Sequence, residues 1–128
     1  AGNTSTENYI AYCFASVEGY SKVGSYVGNG NAYGSFVYTG FRPAYVMVKK
    51  TSASGTPWLV SDTKVNPFNV VDEYLLASDS VAESTFVWSD FLSNGFKLRT
   101  TSSTTNASSA TYIYLAFAES PFKYSNAR

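Results

Sequence analysis

Apolar residues along this chain recur at every second position rather than every third or fourth. In "YIAYCFAS" (residues 9–16), Ile10, Tyr12 and Phe14 alternate with Tyr9, Ala11, Cys13 and Ala15. In "YIYLAFAES" (residues 112–120), Ile113, Leu115 and Phe117 alternate with Tyr112, Tyr114, Ala116 and Ala118. Side chains two apart share one face of a strand. Each segment therefore carries one bulky apolar face and one face of small residues plus tyrosine. Neither face is charged, which predicts strands covered on both sides. The simplest arrangement pairs the two segments with each other or sets both centrally in one sheet. No further self-similarity spans the chain, so the likeness reads as convergence on one environment rather than duplication.

The same period predicts strands at 9–17, 24–27, 36–39, 44–50, 58–62, 86–88, 95–100 and 111–119. Gly, Asn, Ser and Pro clusters such as "VGNGNAYGS", "TGFRP", "TSASGTP" and "LSNG" separate them, with Asn29-Gly30 reading as a hairpin turn. The expected fold is all-β: an antiparallel β-sandwich, jelly-roll-like, or an open barrel. "NVVDEYLLASDSVAES" (69–84) breaks the alternation. It predicts at most one short helix, near residues 70–77, or a long loop anchored by Tyr74 and Leu75. "TTSSTTNASSA" reads as a mobile hairpin tip or crossing loop. Its Asn106-Ala107-Ser108 fits the N-glycosylation pattern, a short match that carries little weight. Residues 1–7 read as a polar linker and residues 8–128 as one domain. The chain begins at Ala1, which suggests a processed product or the C-terminal module of a longer polypeptide.

Composition narrows the function. Charged residues are 14% of the 128, against roughly 25% in an average soluble domain. Aromatics are 17%, with eleven Tyr, nine Phe and two Trp. Formal net charge is zero, so no basic surplus exists to displace counterions from nucleic acid. Lys49-Lys50 reads as a solvated strand end. No apolar run approaches the roughly 18 residues that cross a bilayer, so no membrane insertion is expected. Cys13, the one cysteine, has no intrachain partner and reads as a small buried residue.

The chain has no histidine. That removes Ser-His-Asp and Cys-His catalysis and the usual zinc sites. Asp62, Asp72, Glu73, Asp79, Glu83 and Asp90 could supply a glycosidase pair, but nothing in their spacing converges two of them. They read as solvated or capping carboxylates. "SDTKVNPFN" offers one Asp with Asn and backbone oxygens, short of a calcium loop. "GSYVGNG" lacks the Gly-Lys-Ser/Thr of a phosphate cradle. No catalytic residue, metal or cofactor is expected. Aromatic side chains near turns remain the lead, because Trp and Tyr combine an apolar ring with a polar tip and stack on sugars. The candidate ligand-binding residues are Tyr33, Trp58, Asp62, Lys64, Asn66 and Trp88. Tyr33, Trp58 and Trp88 compete with a plain core or hairpin-packing role.

Four stretches carry a family resemblance: "YIAYCFASVEGYSKVGSYVGNG", "FVYTGFRPAYVMVKK", "DFLSNGFKLRT" and "TYIYLAFAESPFKYSNAR". In this order they resemble the C-terminal domain of structural proteins of marine bacteriophages, cyanophage-like and pelagiphage-like, of tail-fibre or adhesin type. In such proteins this module often follows a lectin-like or SPRY-like domain. The resemblance spans residues 8–128, and "PFKYSNAR" resembles the family's C-terminus. It departs where relatives often carry His after the Cys-aromatic pair; Ala15 stands there. The resemblance implies a virion protein, located in a tail fibre, that recognises a host-surface glycan or outer-membrane receptor without catalysis. Its implied partners are other virion proteins and further copies of itself, as a homotrimer. The alternative is a purely structural role in capsid decoration or in fibre trimerisation and capping.

Overall fold

The computed structural model describes residues 5–121. The expected C-terminal stretch at 122–128 and most of the predicted linker, at 1–4, lie outside them. Eight strands follow one another: β1 (Ser21–Val27), β2 (Phe36–Tyr38), β3 (Pro43–Lys50), β4 (Trp58–Asp62), β5 (Val71–Leu76), β6 (Ser84–Leu92), β7 (Gly95–Leu98) and β8 (Thr111–Ala118). They join in the order β1-β8-β3-β4-β5-β6-β7-β2, with every pair antiparallel. The all-β expectation holds, and the sheet curls into a nearly closed, barrel-like form. Its two free edges, β1 and β2, are held by side chains instead of a ladder. Ser35 Oγ donates to the Val27 carbonyl at 3.2 Å, and Tyr114 Oη reaches the Tyr38 carbonyl at 3.4 Å.

The interior is built by the alternation. Tyr26, Val46, Val48, Leu59, Phe96, Leu98, Tyr112 and Tyr114 turn inward and are buried. Burying a large apolar side chain contributes about 1.5–3 kcal/mol relative to leaving it in water. The rings interlock: Tyr26 stacks on Tyr112 at 5.0 Å, while Phe96 meets Tyr114 edge-on at 5.5 Å. Gly24 makes room for this layer, because a Cβ there would lie 2.8 Å from the Tyr114 hydroxyl. On β6 the alternation slips. Trp88 and Ser89 are consecutive and both buried, opposite a register shift between Val71 and Glu73. Such a bulge lets one strand switch which parity faces the core.

Five expectations are corrected. Residues 9–17 form no strand, apart from an isolated bridge between Val17 and Ser21. They run as an exposed arm, and Cys13 on it is exposed rather than buried. The arm leaves the β1 edge at Ser16, whose hydroxyl accepts from Val23 N at 3.0 Å and lies 3.4 Å from Val23 O. That side chain occupies the position a pairing backbone would need. Val71–Leu76 is strand β5 rather than helix or loop, because pairing with β4 and β6 overrides its helix-forming residues. Asn29-Gly30 does not turn a β1–β2 hairpin; its flanking strands lie at opposite ends of the sheet.

The last correction concerns "TTSSTTNASSA", expected to be mobile. Thr105 and Asn106 within it are fully buried. Asn106 Nδ2 lies 2.7–2.9 Å from three acceptors, Asn29 Oδ1, Asn31 O and Thr100 O. Asn106 Oδ1 accepts from Asn29 N at 3.0 Å. Tyr26 and Tyr112 donate their hydroxyls to Thr105 O and Ser103 O. The loop plugs one end of the barrel and ties loop 28–35 to it. Asn106 is therefore a structural amide, inaccessible to glycosylation in the folded chain.

Candidate functional site

Among the described residues two surface hollows stand out, and β1 contributes to both. The first is the seam between the free edges of β1 and β2, a cleft of about 260 Å³. Ser16, Glu18 and Lys22 line one side; Tyr38, Thr39 and Gly40 line the other. The chain reverses at residues 17–21 through Gly19, whose φ of 71° suits glycine. That turn sets Glu18 and Lys22 on the rim. Across the gap β2 is only three residues long. Beyond it Thr39 N and Gly40 N turn away to the Asn94 carbonyl, so no ladder closes the seam. Tyr38 is 64% exposed. An aromatic ring, a carboxylate and an ammonium thus border one hollow, while the Ser16 and Thr39 hydroxyls beside them are bonded to the Val23 backbone and the Phe41 carbonyl. This mix suits a polyhydroxylated ligand, with stacking on the ring and hydrogen bonds to the polar tips.

The second hollow lies on the outer face of β1, β8, β3 and β4. It is a groove of about 280 Å³, bordered by Tyr12, Phe14, Val23, Met47, Trp58 and Ile113. Its lining carries no charge. Lys49 stands beside it, its Nζ 5.6 Å from the Trp58 ring centroid and hydrogen-bonded to the Thr56 carbonyl. This groove is apolar, and few of its groups could bond a sugar hydroxyl.

The six residues selected from the sequence do not converge. Trp88 is 0% exposed and belongs to the core: its Nε1 donates to Ser61 Oγ at 3.0 Å, and its ring packs on Phe91 and Phe96. No ligand reaches it in the folded protein. Trp58 is half-buried on the outer groove. Tyr33 is 81% exposed on loop 28–35, lining neither hollow.

Asp62, Lys64 and Asn66 share the turn after β4, where they hold one another and the backbone. Asp62 Oδ1 accepts from Lys64 N at 2.7 Å and Val65 N at 3.1 Å. Asn66 Nδ2 donates to Asp72 Oδ1 at 3.0 Å, and Asn66 Oδ1 accepts from Glu73 N at 2.8 Å. The recess beside them holds about 10 Å³, the room of a single water. Nearby, burial and then the Asp62 carboxylate push the Tyr45 hydroxyl above the ordinary tyrosine range.

Sequence reasoning missed Tyr38, Lys22 and Glu18. They lie in stretches that read as strand ends and turns, and the seam that joins them exists only once the sheet has curled. Among the described residues, no group of three or more Cys, Asp or Glu could hold a metal ion. No helix there is long and apolar enough to cross a membrane.

A protein-family match covers residues 1–121, to a domain of unknown function, DUF7483. The chain belongs to the DUF7483 family. No curated protein and no solved structure matches it. Family membership assigns no ligand to either hollow of this DUF7483 domain, so the functional reading rests on their chemistry.

Proposed function

We propose that this domain is a non-catalytic recognition module of a phage virion protein, of tail-fibre type, which binds a host-surface glycan. The observation that carries the reading is the seam cleft, where exposed Tyr38, Glu18 and Lys22 border a hollow of about 260 Å³. Its size and mixed lining suit a sugar unit better than the apolar outer groove does. The virion setting comes from the resemblance to marine phage structural proteins. The Asp62 carboxylate accepts from the backbone of its own turn, and Asp72 and Glu73 on β5 share the Asn66 amide; carboxylates tied up in this way favour binding over glycoside hydrolysis. Weak single sites of this kind act through many linked copies.

The test is binding of the purified domain, fluorescently labelled and displayed as a multimer, to marine bacterial host cells and a glycan array. The expected result is saturable binding that falls about tenfold in Tyr38→Ala and is unchanged in Tyr33→Ala. Binding that ignores both Tyr38→Ala and Lys22→Ala would remove the seam from the proposal. Absence of binding to every host and glycan would favour the second reading, a purely structural virion part. The uncharged outer groove supports that reading.

A further inference from the structure

β1 is paired on one side only. Ala118 N donates to Tyr20 O and Gly28 N to Ala110 O, with Lys22, Gly24 and Tyr26 between them in the same register against β8. Alternation then aims the N–H and C=O groups of Ser21, Val23, Ser25 and Val27 at the seam. Ser21 exchanges two bonds with Val17, at 2.9 and 3.0 Å. The Ser16 hydroxyl sits at Val23, 3.0 Å from its N and 3.4 Å from its O. Ser35 Oγ donates to Val27 O. Ser25 N and O have no partner among the described residues. Val17 and Ser21 thus form the first rung of a hairpin that goes no further. Continued in register, its next rungs set Ala15 opposite Val23 and Cys13 opposite Ser25. Two hydroxyls replace the first of those rungs: Ser16 Oγ accepts from Val23 N, and Ser21 Oγ donates to Ala15 O at 2.7 Å. Residues 10–14 make no hydrogen bond, and Phe14 rests edge-on against Phe117 at 6.0 Å.

We propose that residues 13–17 are a strap that closes on the free edge of β1, as a further strand in the seam, when the Ser16 and Ser21 hydroxyls let go. The backbone groups match: Ala15 takes over Val23, and Cys13 takes the unpartnered Ser25. An unpaired edge is a template for an extended segment, and this segment is already joined to the edge through the turn at 17–21, so little loop-closure entropy is lost. Ala15 and Cys13 face outward beside Val23 and Ser25. Phe14 leaves Phe117, arrives opposite Gly24 and displaces the long contact, 3.4 Å, between Tyr114 Oη and Tyr38 O. The bond from Ser35 to Val27 marks where the strap stops. Ser16 and Lys22 line the seam cleft, so closing the strap reshapes that cleft, whatever it binds.

The test uses Cys13, the one cysteine of the chain. Ser25→Cys places a second thiol opposite it in the closed register, where paired residues lie about 5.5 Å apart at Cα, within disulfide reach. Val27→Cys, one rung further on, faces Ala11 instead. In the dilute 128-residue chain under a glutathione redox buffer, the intramolecular disulfide of Ser25→Cys is expected to form at least about tenfold faster than that of Val27→Cys. Adding Ser16→Ala to Ser25→Cys speeds it about tenfold further, the worth of one or two hydrogen bonds. Residue-resolved amide exchange gives a second readout without a new cysteine. In Ser16→Ala the amides of Cys13, Ala15 and Ser25 slow, while that of Phe14, which points away from β1 in the closed register, stays fast. Near-ultraviolet circular dichroism confirms that each variant keeps its core. Equal crosslinking rates at positions 25 and 27 overturn the proposal. So does exchange at Cys13 and Ser25 that Ser16→Ala leaves unchanged.

Discussion

Residues 9–16 and β8 are almost the same sequence with opposite fates. Both alternate a bulky apolar side with a side of tyrosine and small residues. In β8 the tyrosine side is the core: Tyr112 and Tyr114 are buried, with Ala116 and Ala118 beside them. In the arm both sides are exposed. The difference is one of neighbours. β8 lies between β1 and β3, paired along its length on both sides, and its tyrosine hydroxyls find backbone carbonyls at Ser103 and Tyr38. The arm precedes a tight turn, and Ser16 caps the β1 edge with a side chain. A period-two pattern therefore specifies an extended segment that can pair. It does not specify that a partner within the same chain will be free.

The sharpest way to test this contrast is to truncate the interior. Trp88→Ala should cost about 3–5 kcal/mol in urea unfolding, since it empties a site packed by Phe91 and Phe96 and strips Ser61 of a donor. A cost near that of a surface change would contradict the buried placement.

Asn106→Ala should cost about 2–3 kcal/mol, because it leaves Asn29 and Thr100 backbone groups without their partner. Loop 28–35 should then exchange its amide hydrogens faster than β3 does. If the loop around Asn106 were a mobile tip, neither change would occur.

Alkaline pH separates the two segments without mutation. Burial pushes the Tyr26 hydroxyl far above the ordinary tyrosine range, with Tyr112 adding to it, and burial raises Tyr112 and Tyr114 too. These groups stay protonated in the folded chain while the unfolded chain ionises. Their contribution is fully present below about pH 10 and is lost as pH climbs beyond it toward the folded values. The expected loss is up to about 1.4 kcal/mol per pH unit for each fully protected tyrosine. Urea midpoints measured from pH 8 to 11.5 check it, and a flat profile would deny the buried hydroxyls.

The smallest effect belongs to the arm. Ile10→Ser and Tyr12→Ser should change the stability of the dilute chain by less than about 0.5 kcal/mol. A larger loss would mean the arm belongs to the core of its own chain.

Most strands were legible because their alternation is local. Trp58–Asp62 was read to the residue, and β3, β7 and β8 within two residues of each end. β5 was hidden because "VDEYLL" has helix-forming residues and no alternation; only its neighbours β4 and β6 make it a strand. The buried amide of Asn106 was hidden in a low-complexity run, since nothing local distinguishes an asparagine that bridges two loops from one in solvent. The site residues were the least legible. Trp88 looked like a platform beside a turn, and its burial follows from a register shift across from β5 that leaves no mark in composition.

The sequence by itself determined the fold class, the extended character of nearly every segment, the absence of histidine chemistry and the electrical neutrality of the chain. These follow from side-chain period and residue type, which need no knowledge of what lies across space. The tertiary structure decided which face of each strand became interior, which of two like segments gained neighbours, and where Tyr38 meets Glu18 and Lys22. Those outcomes depend on the order in which strands pair and on a sheet that curls until its edges nearly meet. Distant parts of the chain then come within reach of one another, and no local pattern encodes that proximity.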